Sequence, residues 1–420
     1  MNRRNFSQSI TDSSTASIPL EAELSGRLNT LIQKEIPIPT HFDVIVIGVG
    51  SMGSATCYQL AQQGYKVLGL EQFDIPHELG SHGGQSRIIR KAYAEHPDYV
   101  PLLERAYQNW RSLESASGIQ VYFKTGLLYC GKSNDAFIKG VKLSSEKYQI
   151  PVEELSAEET QKRYPQFRLP KGYKQLMEPE AGFITPERSI LLYTEQAIRQ
   201  GAIIRTREKI REWKRENGTI TVVTDKGQYH AKKLVITAGA WGGKMIPGFS
   251  KHLTITRQVL AWVKPKKWND FTLGNFPCWI IEHGGHDYYG FPILPEDKLS
   301  GPSGMKLALH YPLGDPTDPD AVNRKIRDVD EKVLIDALQL LIPDGYESTL
   351  TMKTCLYTNS PDQNFIIDHL PGYDKDVVIA TGFSGHGFKF VSVVGEILAD
   401  LAINGKTNLA IDFLSAARLK

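Results

Sequence analysis

The stretch His41–Glu71, HFDVIVIGVGSMGSATCYQLAQQGYKVLGLE, decides the fold class. Val44 to Ile47 is an uninterrupted run of β-branched residues, the pattern of a strand covered by helices on both faces. Gly48, Gly50 and Gly53 follow in the spacing G-x-G-x-x-G, and Ser54 to Gln63 continues with helical periodicity. Each glycine has a separate duty in such a turn. The first permits the tight reversal, the second lets the backbone approach a pyrophosphate, and the third lets helix and strand pack closely while the helix N-terminus faces the phosphates. Lys66 to Leu70 reads as a second strand, closed by Glu71, whose carboxylate can accept hydrogen bonds from a ribose diol. A carboxylate there would repel a 2′-phosphate, so FAD or NAD is expected over NADP. Three glycines alone carry little weight; the flanking strand, the helix and the terminal acid make the match specific.

The 420 residues exceed the usual size of one core, which predicts two domains. A net charge of +2, from 49 basic and 47 acidic residues, gives no field that would select nucleic acid or an anionic membrane, so small-molecule partners are expected. Cys57, Cys130, Cys278 and Cys355 are widely spaced and match neither a zinc pattern nor a dense disulfide framework, which favours a reducing, cytoplasmic setting. No apolar run is long enough to span a membrane. Arg3, Arg4 and Phe6 look like the start of a twin-arginine signal, but SQSITDSSTAS follows with no apolar stretch, so export is not expected. Residues 1–40 read as an extension, Ser/Thr-rich and disordered to Ser17, with a short amphipathic helix from Leu20 to Ile32 and a Pro-containing link from Ile36 to Thr40.

After Glu71 comes QFDIPHELGSHGGQSR, a long glycine-rich loop of the kind that is usually functional. Arg87 and Arg90, three apart in SRIIRKAY, would share a face if that segment were helical; the plain alternative is a solvated basic turn. Helices are predicted over Tyr99–Glu114, Glu153–Arg163, Pro186–Ile198 and Val329–Ile342. Phe123 to Gly131 reads as a strand with Gly126 opening a turn, and Ile220–Thr224 with Gln228–Leu234 as a hairpin. LVITAGAW, Leu234 to Trp241, reads as a buried parallel strand ending in small residues. From Val259 the pattern changes to the short strands VLAWV, CWIIEH, YYGFPIL and MKLALHYP, an antiparallel sheet. Val377 to Asn404 again reads strand, glycine turn, helix, and the helix N-terminus beside Lys389 suits a carboxylate or an electron-rich ring. The fold class expected is α/β: a Rossmann-like FAD-binding domain with an interleaved antiparallel-sheet substrate domain. The boundaries are 41–125, 181–255 and 353–420 for the first, 256–352 for the second, and 126–180 as a mixed segment contributing to the second.

Six segments in this order resemble one family: HFDVIVIGVGSMGSA, GSHGGQSRIIRKAY, YYGFP, MKLALH, TCLYTNSPDQNFIIDHLPG and GFSGHGFKF. The chain after His41 is similar to the monomeric sarcosine oxidase and N-methyl-L-tryptophan oxidase group of the glycine and D-amino-acid oxidase superfamily. The resemblance implies FAD joined to the sulfur of Cys355, contacted also by Gly48, Gly50, Gly53, Glu71, Ser81, His82 and Gly385. It implies that Arg90 and Lys389 hold the substrate carboxylate and that Tyr289 and Tyr357 line the cavity. His310 and Arg87 would lie near the ring, and Lys306 over it, where it would assist oxygen. It further implies a monomer, with an N-substituted amino acid and O2 as its small-molecule partners. The reaction would be hydride transfer from the carbon beside nitrogen, hydrolysis of the resulting imine, and return of the electrons to oxygen as hydrogen peroxide. The alternative is a dehydrogenase that passes its electrons to a partner or a quinone.

Elementary chemistry agrees with these roles. A guanidinium can grip a carboxylate through two parallel bonds while a lysine adds a point charge. A cation is most useful where negative charge develops on oxygen. A cysteine reacts as thiolate, so Cys355 needs a positive neighbourhood, whereas Cys57, Cys130 and Cys278 read as small buried core residues. His310 alone would read as a structural histidine; Lys306 four residues earlier gives it its case. Two departures from the family are visible. His82 is followed by Gly83 where a second histidine is usual, and the segment between Pro292 and Met305 is longer, which leaves substrate size open.

Overall fold

The computed structural model describes residues 20–32, 39–296, 301–310 and 314–419. The expectations for Met1–Ser17, for most of the Ile36–Thr40 link and for the middle of the Pro292–Met305 segment lie outside these residues. Among the described residues no helix is long and apolar enough to cross a membrane.

The strand His41–Ile47 is central to the first sheet. It pairs in parallel with Val67–Leu70 on one side and with Gln228–Ile236 on the other. Ile203–Arg205 extends the sheet beyond Val67–Leu70, and Val377–Thr381 runs parallel to the end of Gln228–Ile236. The chain therefore fills one side of His41–Ile47 first and the other side later, and this reversal opens a crevice at the carboxyl ends of the strands. Ile366–His369 and the hairpin Ile210–Glu216/Thr219–Thr224 complete the sheet in antiparallel fashion. The helix Ser51–Gln62 packs between Pro186–Arg199 and Val391–Asn404, and all three bury a broad apolar face in the main core.

The second sheet runs Ser348–Asn359, Thr254–Lys264, Met305–His310, His286–Gly290, Cys278–His283, Leu127–Lys132, Tyr173–Glu178, Glu153–Leu155. Its pairs are antiparallel except Cys278–His283 with Leu127–Lys132. Three strands between residues 126 and 180 thus join those from after residue 253 in one layer, whose far side is covered by the helix Asp328–Leu341. The α/β class expected from the sequence, a parallel sheet joined to a largely antiparallel one, is the one observed.

Three local readings need correction. SRIIRKAY is neither a helix nor a solvated turn: Arg87–Ile89 is a strand paired with Gly182–Ile184 and Arg90 is buried, so the helical condition for a shared face is not met. The predicted helix Glu153–Arg163 is split into the edge strand Glu153–Leu155 and the helix Ala157–Arg163, because Ser156 and Glu159 form a reciprocal capping box that starts the helix there. The predicted strand Phe123–Gly131 is divided at Gly126, with Tyr122–Lys124 entering a small third sheet and Leu127–Lys132 the second. The helix Leu20–Ile32 forms as its spacing predicts, with Leu24 and Leu28 buried against Pro186–Arg199.

Candidate functional site

A cavity of about 770 Å3 begins at the carboxyl ends of the parallel strands and reaches the face of the second sheet. At its nucleotide end Gly48 has φ +87, and a Cβ there would lie 2.6 Å from the Thr237 carbonyl oxygen. A Cβ on Gly53 would lie 1.8 Å from the Gly48 carbonyl oxygen, so the third glycine permits the close packing its spacing implied. The Thr237 hydroxyl donates to the Gly48 carbonyl at 2.7 Å and ties the two neighbouring strands together. The helix Ser51–Gln62 starts at Gly50 with no side-chain cap, so its first-turn N–H groups remain available where Gly50 and Ser51 line the cavity. Glu71 is buried and accepts from Val49 N and Phe73 N, each at 3.0 Å. Burial pushes its pKa up to about 6 against those bonds. An uncapped helix end, a glycine turn with no room for side chains and an acid on the second strand fit a dinucleotide such as FAD.

The loop after the second strand is held from both sides. Arg87 donates to the carbonyls of Ser81 at 2.9 Å, Gly83 at 2.6 Å and Ser86 at 2.8 Å. Lys306 donates to the carbonyls of Gly84 at 2.6 Å and Ser86 at 2.7 Å. Glu187 accepts from the backbone N–H groups of Gly84 and Gln85. Lys306 is fully buried, with Nζ 4.6 Å from the Phe291 ring centroid, and burial followed by the Arg87 charge pushes its pKa well down. His82 stacks edge-on near His77; burial and then Arg87 lower it to about 4, so it is neutral at ordinary pH.

Cys355 lies in Ser348–Asn359, opposite Gln258, buried with Leu260, Trp262 and Ala308. Arg87, Lys306 and Arg324 all act to lower its pKa, as the expected positive neighbourhood would, but burial outweighs them and the thiol is raised. Cys57, Cys130 and Cys278 are buried free thiols. Cys355, Lys306 and Gly53 stand behind the cavity surface; the other twelve residues singled out from the sequence line it.

At the opposite end Arg90 and Lys389 converge on one aromatic ring. The Arg90 guanidinium is 4.5 Å and the Lys389 ammonium 5.1 Å from the Tyr93 centroid. Arg90 is buried and donates to both carboxylate oxygens of Glu95 at 2.7 Å. Burial works against the charge on Glu95, yet Arg90, His386 and Lys389 together hold its pKa down to about 2. Lys389 donates to the His386 carbonyl at 2.7 Å, and burial with the Arg90 charge lowers its pKa to about 7. His386 Nδ1 meets the Tyr93 hydroxyl at 2.6 Å, and burial brings its pKa to about 3. His310 Nδ1 lies 3.3 Å from the Tyr357 hydroxyl, with its pKa lowered by burial to about 4. Burial pushes the Tyr289 hydroxyl up to about 12 and raises Tyr357 well above its ordinary value, so both remain neutral donors. Gly385, at φ +80, lets the chain pass over the Tyr357 ring, since a Cβ would lie 2.2 Å from it.

Several functional groups escaped the sequence reading. Glu95, five positions after Arg90 in RKAYAEH, had only its sign and proximity as a signal. His386 sits inside GFSGHGFKF, where the lysine drew the attention. Thr237 and Glu187 have no local signal, because their partners lie in other segments.

The chain matches the family described as "FAD dependent oxidoreductase" over residues 43–401. It is 38% identical over 387 residues to the monomeric sarcosine oxidase of Bacillus sp. (strain B-0618), covering 90% of this chain and 96% of that protein. It is 35% identical to the N-methyl-L-tryptophan oxidase of Salmonella enteritidis PT4 (strain P125109), covering 87% of this chain and 96% of that protein. Among solved structures, the open form of NikD, titled an unusual amino acid oxidase essential for nikkomycin biosynthesis, superposes with a TM-score of 0.77 at 24% identity, covering 90% of this chain and 98% of that one. Glycine oxidase from Geobacillus kaustophilus gives 0.72 at 16% identity, covering 90% and 99%. These two share the fold.

Proposed function

The chain belongs to the FAD dependent oxidoreductase family, and from that premise we propose that it is an oxidase of secondary amino acids, N-methyl or cyclic, held in the cavity by their carboxylate. When bound, FAD supplies the two-electron acceptor that takes hydride from the carbon beside nitrogen and returns the electrons to O2 as hydrogen peroxide. Everything else in this reading belongs to the chain's own residues. Arg90 and Lys389 provide a planar fork and a point charge for one carboxylate, with Glu95 in the place that the substrate would claim. Tyr289, Tyr357 and His310, neutral at ordinary pH, form a wall that orients the substrate without adding charge near the nitrogen. The imine product hydrolyses in water. The observation that carries the proposal is the convergence of Arg90 and Lys389 on Tyr93 at the end of the cavity opposite the glycine turn.

The same proposal includes the finer points. FAD is attached through Cys355, supported by the positive charges of Arg87, Lys306 and Arg324, each of which acts to lower the pKa of its thiol. Lys306 and Arg87 act on the ring side through the loop they jointly hold. The protein is a cytoplasmic monomer, and its FAD-binding domain is drawn from 41–125, 181–255 and 353–420, apart from the strand Ser348–Asn359 that pairs into the second sheet, around a substrate domain at 256–352 to which 126–180 contributes. Oxygen is favoured over a partner protein or quinone as acceptor because the similar proteins above carry the name oxidase. The test is an aerobic screen of sarcosine, N-methyl-tryptophan and pipecolate for peroxide release by the purified yellow protein. Peroxide from at least one of these supports the reading, whereas reduction of an added quinone without peroxide would favour the dehydrogenase.

A further inference from the structure

The cavity wall near Arg90 is one face of the second sheet. Side chains alternate along His286–Gly290, so Asp287 and Tyr289 share that face. The register sets Asp287 opposite His310 on one neighbouring strand and opposite Glu282 on the other, while Tyr289 stands opposite Ile280. Asp287, Tyr289, His310 and Ile280 all line the cavity, with Phe137 beside them. Tyr289 and Ile280 offer apolar surface. Asp287 is different in kind: it is half-buried, and among the described residues its carboxylate makes no hydrogen bond and no close ion pair.

The surrounding charges leave that carboxylate under-compensated. Burial, then Asp135 and Glu95, raise its pKa to about 6, with only Arg90 and His286 opposing. It is still ionised at neutral pH. Arg90 gives it no hydrogen bond: one guanidinium nitrogen donates to both oxygens of Glu95 and another to the Ala92 carbonyl. A half-buried anion without a partner gains most from a cation that arrives with the ligand.

We propose that Asp287 sets side-chain specificity, receiving a cationic group at the end of the substrate's side chain, so that secondary amino acids with basic side chains are preferred over neutral ones and acidic ones are disfavoured. The inference rests on the carboxylate grip of Arg90 and Lys389 proposed above. A substrate held there by its carboxylate runs its side chain along Phe137 and Ile280 and brings the terminal group to Asp287. Hydrocarbon lining then serves the methylenes, and the Asp287 carboxylate serves the end of the chain.

The test uses ligands with no α-amine, which cannot be oxidised: 6-aminohexanoate, hexanoate and adipate, titrated calorimetrically into the FAD-loaded protein near neutral pH. The wild type should bind 6-aminohexanoate roughly tenfold more tightly than hexanoate, about what one half-buried ion pair supplies, and adipate more weakly than hexanoate. In Asp287→Asn the first ratio should fall to about one, and in Asp287→Glu, which keeps the charge, it should persist at least in part. A wild-type ratio near one, or a preference that survives Asp287→Asn, overturns the inference and leaves the proposed function standing. Hexanoate failing to bind the wild type overturns the carboxylate grip itself, and this inference with it.

Discussion

Replacing Arg90 by Gln probes the substrate grip and its resident competitor together. The wild-type guanidinium is buried, lies 4.5 Å from the Tyr93 centroid and holds Glu95 through both carboxylate oxygens. Removing it takes away the fork that receives the substrate carboxylate, a desolvated charge pair whose truncation costs about 2 to 5 kcal/mol. At 1.4 kcal/mol per factor of ten, that is a loss of roughly 30- to 4000-fold in carboxylate affinity. A second effect adds to it. Glu95 loses the cation that does most to keep its pKa near 2, and turns to Lys389 as the next positive group. Lys389 is then occupied by an internal acid at the moment it is needed for the ligand. The double variant Arg90→Gln/Glu95→Gln separates the two effects, since it removes the stranded acid and should recover part of the loss. Arg90→Lys should also recover only part, because the planar fork is gone. The assay is titration of hexanoate, with kcat/KM for an N-methyl amino acid beside it. A loss under about threefold in the single variant would show that Arg90 serves Glu95 and the fold instead of the substrate.

Four further outcomes follow from the same geometry. Lys389 loses its proton near pH 7 in the free protein, so affinity for hexanoate should be full below that pH and decline as pH rises through it; Lys389→Met should flatten the profile, and an unchanged decline in that variant would assign the titration elsewhere. Lys306→Met should slow reoxidation by oxygen by roughly 3 kcal/mol while reduction by substrate changes far less; it should also lower Tm, since the buried Gly84 and Ser86 carbonyls lose their side-chain donor, and stopped-flow traces with both half-reactions equally slowed would refute the oxygen role. Acid precipitation should leave the yellow colour with wild-type protein and release it from Cys355→Ala; flavin in the wild-type supernatant refutes the attachment. Gly53→Ala puts a methyl group 1.8 Å from a backbone carbonyl oxygen, so the variant should incorporate less FAD and melt lower, and a normal FAD content by absorbance would mean that helix and turn can separate there.

Much of this was legible in the sequence because the signals were local. The run of β-branched residues, the glycine spacing and Glu71 are all contained in His41–Glu71, and they gave the crevice and its occupant class. The second sheet was visible as alternating short strands after Val259, but its three strands from between residues 126 and 180 were not separable by periodicity alone. Arg87–Ile89 stayed open between a helix and a basic turn because a strand of three residues has no period to read; only its pairing with Gly182–Ile184 defines it. Arg90 and Lys389 were legible as charges in conspicuous segments, whereas Glu95 as the partner of Arg90 depends on how the turn after that strand folds back. Thr237, Glu187 and Asp287 act through segments far away in the chain, so no window around them shows what they do. The thiol of Cys355 shows the limit of sign-based reasoning: the expected cations are present, and burial still prevails.

The central claim is that a carboxylate-bearing secondary amine gives its electrons to FAD in this cavity because Arg90 and Lys389 hold it there. The most direct measurement is anaerobic mixing of the flavoprotein with an N-methyl amino acid and, separately, with the amine that remains after its carboxylate is removed, followed in the visible flavin band. The account predicts bleaching by the amino acid, recovery of the band with peroxide when oxygen is admitted, and a rate for the decarboxylated amine lower by roughly 300-fold, near the middle of the cost of an unmatched buried charge. Equal bleaching by the two compounds, or no bleaching by any secondary amino acid tried, would contradict it.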